Sequence, residues 1–178
     1  MKKPAVLFRN IQVVTPMPAG PVLSLSNAFV AVAGGEVRYV GQFEDAAIEI
    51  LRELGYANYE TYDGRRKLLW PAMANTHGHI PMVLMRNQAD DKVLHDWLFN
   101  VIFPREKNLT PEHVLNGARL GMAEMIRAGT GTAADMYYYS ESVVQAALES
   151  GMRLNVSFDG KETGADGQTH LVRPKLEQ

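Results

Sequence analysis

The chain has 178 residues, 18 Lys and Arg against 20 Asp and Glu, and no cysteine. A formal charge of −2 and a 46% hydrophobic composition argue against a general nucleic-acid binder, which needs a basic face, and against a disordered chain. The lack of cysteine removes disulfides, thiolate nucleophiles and thiolate zinc sites, and fits a cytoplasmic protein.

Residues 10–35 carry no charge, but Pro16, Pro18 and Pro21 break the stretch, so no membrane partner is expected. Val6, Phe8, Ile11, Val13 and Val14 suggest a strand whose alternation shifts partway along. Residues 28–33 and 36–40, joined at Gly34-Gly35, read as a hairpin. Ala46, Ala47, Ile50, Leu51 and Leu54 recur at helical spacing, with Gly55 as a stop. Residues 59–62 read as a short strand, and Asp63-Gly64 as a turn leading to Leu68-Leu69-Trp70.

From Leu68 the rhythm changes. Residues 68–76 form an apolar run containing Pro71. Thr110-Pro111 is a helix start, with Thr as N-cap and Pro in the first turn, and Gly129 marks its end. Residues 130–137 read as a strand, 140–150 as a helix closed by Gly151, and 152–158 as a strand. Strands alternating with helices predict a parallel sheet with helical crossovers, an α/β fold. Residues 159–178 are polar, without periodicity.

The stretch that carries chemistry is His77-Gly78-His79, directly behind the apolar run. On a strand, residues two apart point to the same face. Two neutral imidazoles side by side can share one metal ion, and a catalytic zinc keeps a position open for water.

Asn75-Thr76-His77-Gly78-His79 is followed by Pro81-Met82, Leu84-Met85-Arg86, Ala89-Asp90-Asp91, Trp97-Leu98, Phe103-Pro104 and Glu106. Ala123-Glu124-Met125, Gly129-Thr130 and Ala134-Asp135-Met136 continue the pattern. Over residues 6–158 the chain resembles the amidohydrolase superfamily, in its methylthioadenosine/S-adenosylhomocysteine deaminase and chlorohydrolase-like branch. The resemblance implies a partial (β/α)8 metal-dependent hydrolase barrel, about its first three strands, with an N-terminal β-sandwich portion. Residues 1–67 would form the sandwich portion, 68–158 the first βα units of the barrel, and 159–178 a polar tail. His77 and His79 match the first two metal ligands, with zinc as the expected divalent metal and iron or manganese as alternatives. Glu106 matches the glutamate that holds ribose hydroxyls, a task suited to a carboxylate because it accepts two hydrogen bonds.

The implied activity is hydrolysis of carbon–nitrogen bonds other than peptide bonds. The leading expectation is deamination of an adenosine-type thioether such as S-adenosylhomocysteine or methylthioadenosine. The small-molecule substrate would be a nucleoside or a heterocyclic amine, and the alternatives are a chlorohydrolase or guanine-deaminase relative and an inactive interaction remnant. The family's later ligands, from its fifth, sixth and eighth strands, and its acid/base glutamate find no counterpart. The chain is therefore expected to be the N-terminal part of such an enzyme, with no catalytic residue assignable and open edges suited to self-association or a complementing chain. Ala72 stands where the family has Gly, Gly78 where a larger residue is common, and the basic residue that the nucleoside deaminases of the family place at the end of the third barrel strand has no match at Ser157-Phe158.

The remaining candidates read more plainly. His95, His113 and His170 are expected at the surface. Asp135 ends a strand and faces either the barrel mouth or a helix cap. Tyr137, Tyr138 and Tyr139 read as packing rather than pocket lining, and Met82, Met85, Met122 and Met125 as core.

Overall fold

The computed structural model describes residues 4–16, 20–157, 160–163 and 169–172. The chain divides into two compact units, Met1–Pro71 and Ala72–Gln178.

The first unit is a sheet of five strands. β1 (Val6–Thr15) pairs antiparallel with β2 (Leu23–Ala33), which pairs antiparallel with β3 (Glu36–Gly41). β4 (Glu60–Asp63) and β5 (Leu68–Leu69) lie parallel to β1, one beyond the other along its length. The β2–β3 turn is the expected Gly34-Gly35 pair, with φ of 67° and 87°, the left-handed geometry that closes a two-residue hairpin.

The shift in β1 has a clear cause. Leu7 pairs with Ala31, yet Ile11 pairs with Ala28, after an irregularity that includes Asn10 at φ 54°. A bulge adds one residue and so turns the following side chains to the opposite face. Leu7 therefore joins Ala5, Ala31 and Ala33 against Ala47 and Leu51 of helix α1 (Glu44–Glu53), whereas Ile11 and Val13 join Ala28 and Val30 in a separate cluster. One strand supplies two small cores.

The second unit carries the candidate chemistry. β6 (Met73–Gly78), β7 (Thr130–Met136) and β8 (Arg153–Ser157) are parallel, in that order. A 3-10 turn (Ile80–Met85), α2 (Leu94–Trp97), a π-helical turn (Leu98–Ile102), α3 (Phe103–Glu106) and α4 (Pro111–Arg127) cross from β6 to β7, and α5 (Ser140–Ser150) crosses from β7 to β8. Thr110 caps α4 as expected, and His113 completes the cap. Thr110 Oγ1 accepts from the His113 amide and His113 Nδ1 from the Thr110 amide, each at 3.3 Å.

Val114, Ala118 and Met122 of α4, Val143, Ala146 and Ala147 of α5, and Ala133 and Tyr137 from β7 and its exit form one buried core. Gly117 and Gly121, one turn apart on α4, let its backbone come close to Pro81 and Ile80.

The apolar run at 68–76 divides at Pro71: Leu68–Leu69 pairs with β1, and Pro71, which cannot donate to a ladder, ends the first unit. Two short strands follow β8. β9 (Gly160–Thr163) and β10 (Thr169–Val172) pair antiparallel. Phe158 and the side chain of His170 lie outside the described residues. No helix among the described residues is long and apolar enough to cross a membrane.

Two stability outcomes follow from the second unit. A Cβ on Gly121 would lie 2.7 Å from Ile80 Cγ2 and 2.9 Å from the Ile80 carbonyl oxygen, an atom that cannot swing aside. Gly121→Ala is expected to cost about 1–3 kcal/mol, read as a lower urea midpoint at unchanged slope. Arg119 on α4 holds Glu149 on α5 through two hydrogen bonds of 2.7 and 2.8 Å, and with Gln145 draws the Glu149 carboxyl down from 4.5 to about 2. A depressed carboxylate stabilises the fold above its ordinary pKa and loses that contribution as pH falls through the depressed one. Melts across the acid range should show the advantage of the unaltered chain over Arg119→Gln in full above pH 4.5, shrinking toward pH 2.

Candidate metal and nucleoside site

The site lies where β6 and β7 end on the same side of a parallel sheet. The β6–β7 register slips between Asn75 and Gly78, and Gly78 pairs with Asp135. Asn75 Oδ1 accepts from the His77 amide at 3.3 Å across this irregular turn. His79 sits just past the strand. The two imidazole rings lie edge to face, with centroids 5.1 Å apart.

His79 is oriented further. Its Nδ1 lies 2.6 Å from the Met136 carbonyl oxygen. A carbonyl can only accept, so Nδ1 carries a proton, and in the neutral ring this tautomer leaves the lone pair on Nε2. A carbonyl partner on the second ring nitrogen is the usual support of a metal-binding histidine. His79 thus has the support usual for a metal-binding histidine, and the His77 ring lies beside it. Among the described residues, no group of three or more His, Asp or Glu side chains lies close enough to hold an ion.

Asp135 is neighbour to both histidines and is 3% exposed. Its Oδ1 accepts from the Ile80 amide at 2.6 Å, and its Oδ2 is buried with no hydrogen-bond partner. Burial pushes the carboxyl up from its ordinary value, against the pull of the Ile80 amide, His79 and His77. Of the two places expected for Asp135, the structure shows the cap, since its carboxylate receives the first amide of the 3-10 turn.

Glu106 closes α3 and lines a cavity of about 220 Å³ together with His79 and Tyr137. Met82, Trp97, Leu98, Ile102 and Phe103 make much of the wall apolar. His79 and Glu106 therefore share one concavity, with His77 edge-on to the His79 ring.

The reading of Tyr137 as packing is incomplete. Its ring is buried in the core, but its hydroxyl donates to Glu106 Oε1 at 3.0 Å. Burial first, and the Glu106 charge second, push its ionisation far up, so it remains a donor. Both residues left a trace in the sequence. Ala133, Asp135 and Tyr137 alternate as a buried set, and a carboxylate inside such a set requires a partner.

Other candidates lie elsewhere. His95 is exposed and stacks on Phe99, with ring centroids 4.5 Å apart. Arg86, which had no role in the sequence, makes a double hydrogen bond to Glu124 of α4, at 3.2 and 2.6 Å.

Residues 68–177 match the amidohydrolase family, and the chain belongs to that family. It is 36% identical over 151 residues to the 5-methylthioadenosine/S-adenosylhomocysteine deaminase of Acetivibrio thermocellus, covering 85% of this chain and 33% of that one. It is 40% identical over 129 residues to the 5′-deoxyadenosine deaminase of Methanocaldococcus jannaschii, covering 72% of this chain and 29% of the relative. Among solved structures it is similar to a zinc-bound adenosine deaminase from Xanthomonas campestris, with a TM-score of 0.65 and 28% identity over 84% of this chain and 32% of the other. The chain spans about a third of the length of these relatives.

Asp135 gives a direct test of how the site is built. Asp135→Ala strands the buried Ile80 amide and is expected to destabilise by about 1–3 kcal/mol in urea titration. Asp135→Asn keeps an acceptor oxygen and should cost clearly less.

Proposed function

We propose that this chain supplies part of the site of a metal-dependent hydrolase that deaminates a 5′-substituted adenosine, such as 5′-methylthioadenosine, 5′-deoxyadenosine or S-adenosylhomocysteine. In this reading β6, β7 and β8 are the first strands of a (β/α)8 barrel, and the first unit is part of a β-sandwich. The three-part division at residues 67 and 158 is then an approximate one. The cytoplasm is the compartment, in keeping with a chain that has no cysteine.

The observation that carries the reading is one cavity holding an oriented imidazole and a fixed carboxylate, His79 and Glu106. His77 and His79 would hold a divalent metal, zinc first. When bound, such an ion lowers the pKa of a coordinated water and so supplies a nucleophile at neutral pH. The chain's own residues bind and orient. His79 presents Nε2 because its Nδ1–H donates to the Met136 carbonyl. Glu106 accepts the two ribose hydroxyls, and the apolar wall of Trp97, Leu98 and Ile102 removes water from around the nucleoside. The relatives' names favour adenosine-type substrates over triazines or guanine, and a vicinal diol gives Glu106 a task that those rings lack.

Metal binding tests the first half of the reading. His77→Ala and His79→Ala are each expected to lower zinc affinity about tenfold or more, measured by competition with a chromophoric chelator. Equal affinity in the unaltered chain and both variants would remove the histidines from the site.

A further inference from the structure

Resting on the reading in which Glu106 accepts ribose hydroxyls, we propose that Tyr137 is a positioning residue. It holds Glu106 for a vicinal diol and so sets the preference for ribose over 2′-deoxyribose.

Glu106 is poorly placed to hold itself. It is the last residue of a four-residue helix that follows a π-helical turn, and its long side chain has several rotatable bonds. Tyr137 is the opposite kind of group. It is 6% exposed, packs in the core of the second unit, and moves about two torsions. Its hydroxyl reaches Glu106 Oε1 at 3.0 Å across 31 residues of chain. A carboxylate offers roughly four lone-pair sites, and the tyrosine occupies one of them. Oε2 and the second lone pair of Oε1 remain for two donors, which is what a cis-diol presents.

The same strand end sets the distance to the candidate metal. Met136 accepts from His79, and the Tyr137 ring lies 6.1 Å from the His79 ring. Consecutive residues thus fix the imidazole and the carboxylate relative to each other. A nucleoside gripped at its ribose is presented to the histidines at a set separation, and a sugar with one hydroxyl engages half of the acceptor.

The test compares 5′-deoxyadenosine with 2′,5′-dideoxyadenosine binding to the full chain with zinc present. Calorimetry and the fluorescence of Trp97, which lines the cavity, are the readouts. The unaltered chain is expected to prefer the diol about tenfold or more, the scale of a hydrogen bond to a charged group. Tyr137→Phe keeps the ring packing and should narrow that ratio to about threefold or less, since one net hydrogen bond is lost. Glu106→Gln should reduce it further, and Tyr137→Phe should add nothing in the Glu106→Gln background.

If Glu106→Gln keeps the full preference, the reading of Glu106 fails and the inference with it. If Glu106→Gln loses the preference while Tyr137→Phe retains it, the inference alone fails. Equal weakening of both nucleosides by Tyr137→Phe marks a structural role and also overturns it. Should Tyr137→Phe not fold, Tyr137→Met asks the same question, because it removes the hydroxyl, fills the core and leaves Glu106 intact; an unchanged ratio there overturns the inference. Failure of the unaltered chain to hold either nucleoside overturns both.

Discussion

Asp135, Met136 and Tyr137, three consecutive residues at the end of β7, hydrogen-bond to Ile80, His79 and Glu106 in turn. The whole candidate site depends on this tripeptide. Parallel pairing of β6 and β7 brings both C-terminal ends to one edge, where α/β sheets collect their ligands. Edge placement alone leaves the His-Gly-His segment free to turn. The Asp135 contact fixes the backbone just after His79, and the Met136 contact fixes the ring. The Tyr137 contact draws in the far end of the long crossover. An anchor on a strand is more exact than one on a loop, and all three here start from a strand end packed in the core.

Asp135 shows what this arrangement costs. A buried carboxylate with one unpartnered oxygen is unfavourable, and burial outweighs the amide and both histidines in setting its proton affinity. An apolar residue would pack there without that penalty, but it could not accept from Ile80. The amide would then be stranded beneath the turn that also presses on Gly117 and Gly121 of α4. Small residues on the helix and a carboxylate on the strand are therefore two halves of one solution. The glycines let the turn come down onto α4, and the aspartate receives the amide that this descent buries.

Much of this fold could be read from local signals. The Gly34-Gly35 hairpin, the Thr110-Pro111 helix start and the alternation of strands and helices after Leu68 each rest on short-range rules, and each appears in the structure. The shift in β1 was visible as a break in alternation, but the separation into two cores was not, because that depends on which β2 residue faces each position. Within the 68–76 run, apolar composition cannot tell Leu68–Leu69, paired with β1, from Met73–Gly78, paired with β7. The paired strands at 160–163 and 169–172 lie in a polar stretch where no periodicity announced them.

The candidate site divides along the same line. His77 and His79 are two residues apart, so the strand period alone argues that they act together. Glu106 lies 27 residues past His79, and nothing but the family resemblance joined them before the cavity did. Tyr137 lies a further 31 residues on, in a run of three tyrosines that composition reads as packing. The ring does pack; its polar end does something else. A buried tyrosine must find an acceptor for its hydroxyl, and the identity of that acceptor is a property of the tertiary fold. Here the acceptor is a carboxylate facing the same cavity as an oriented histidine, so a residue placed by the hydrophobic core also sets the direction of the group that would meet a substrate.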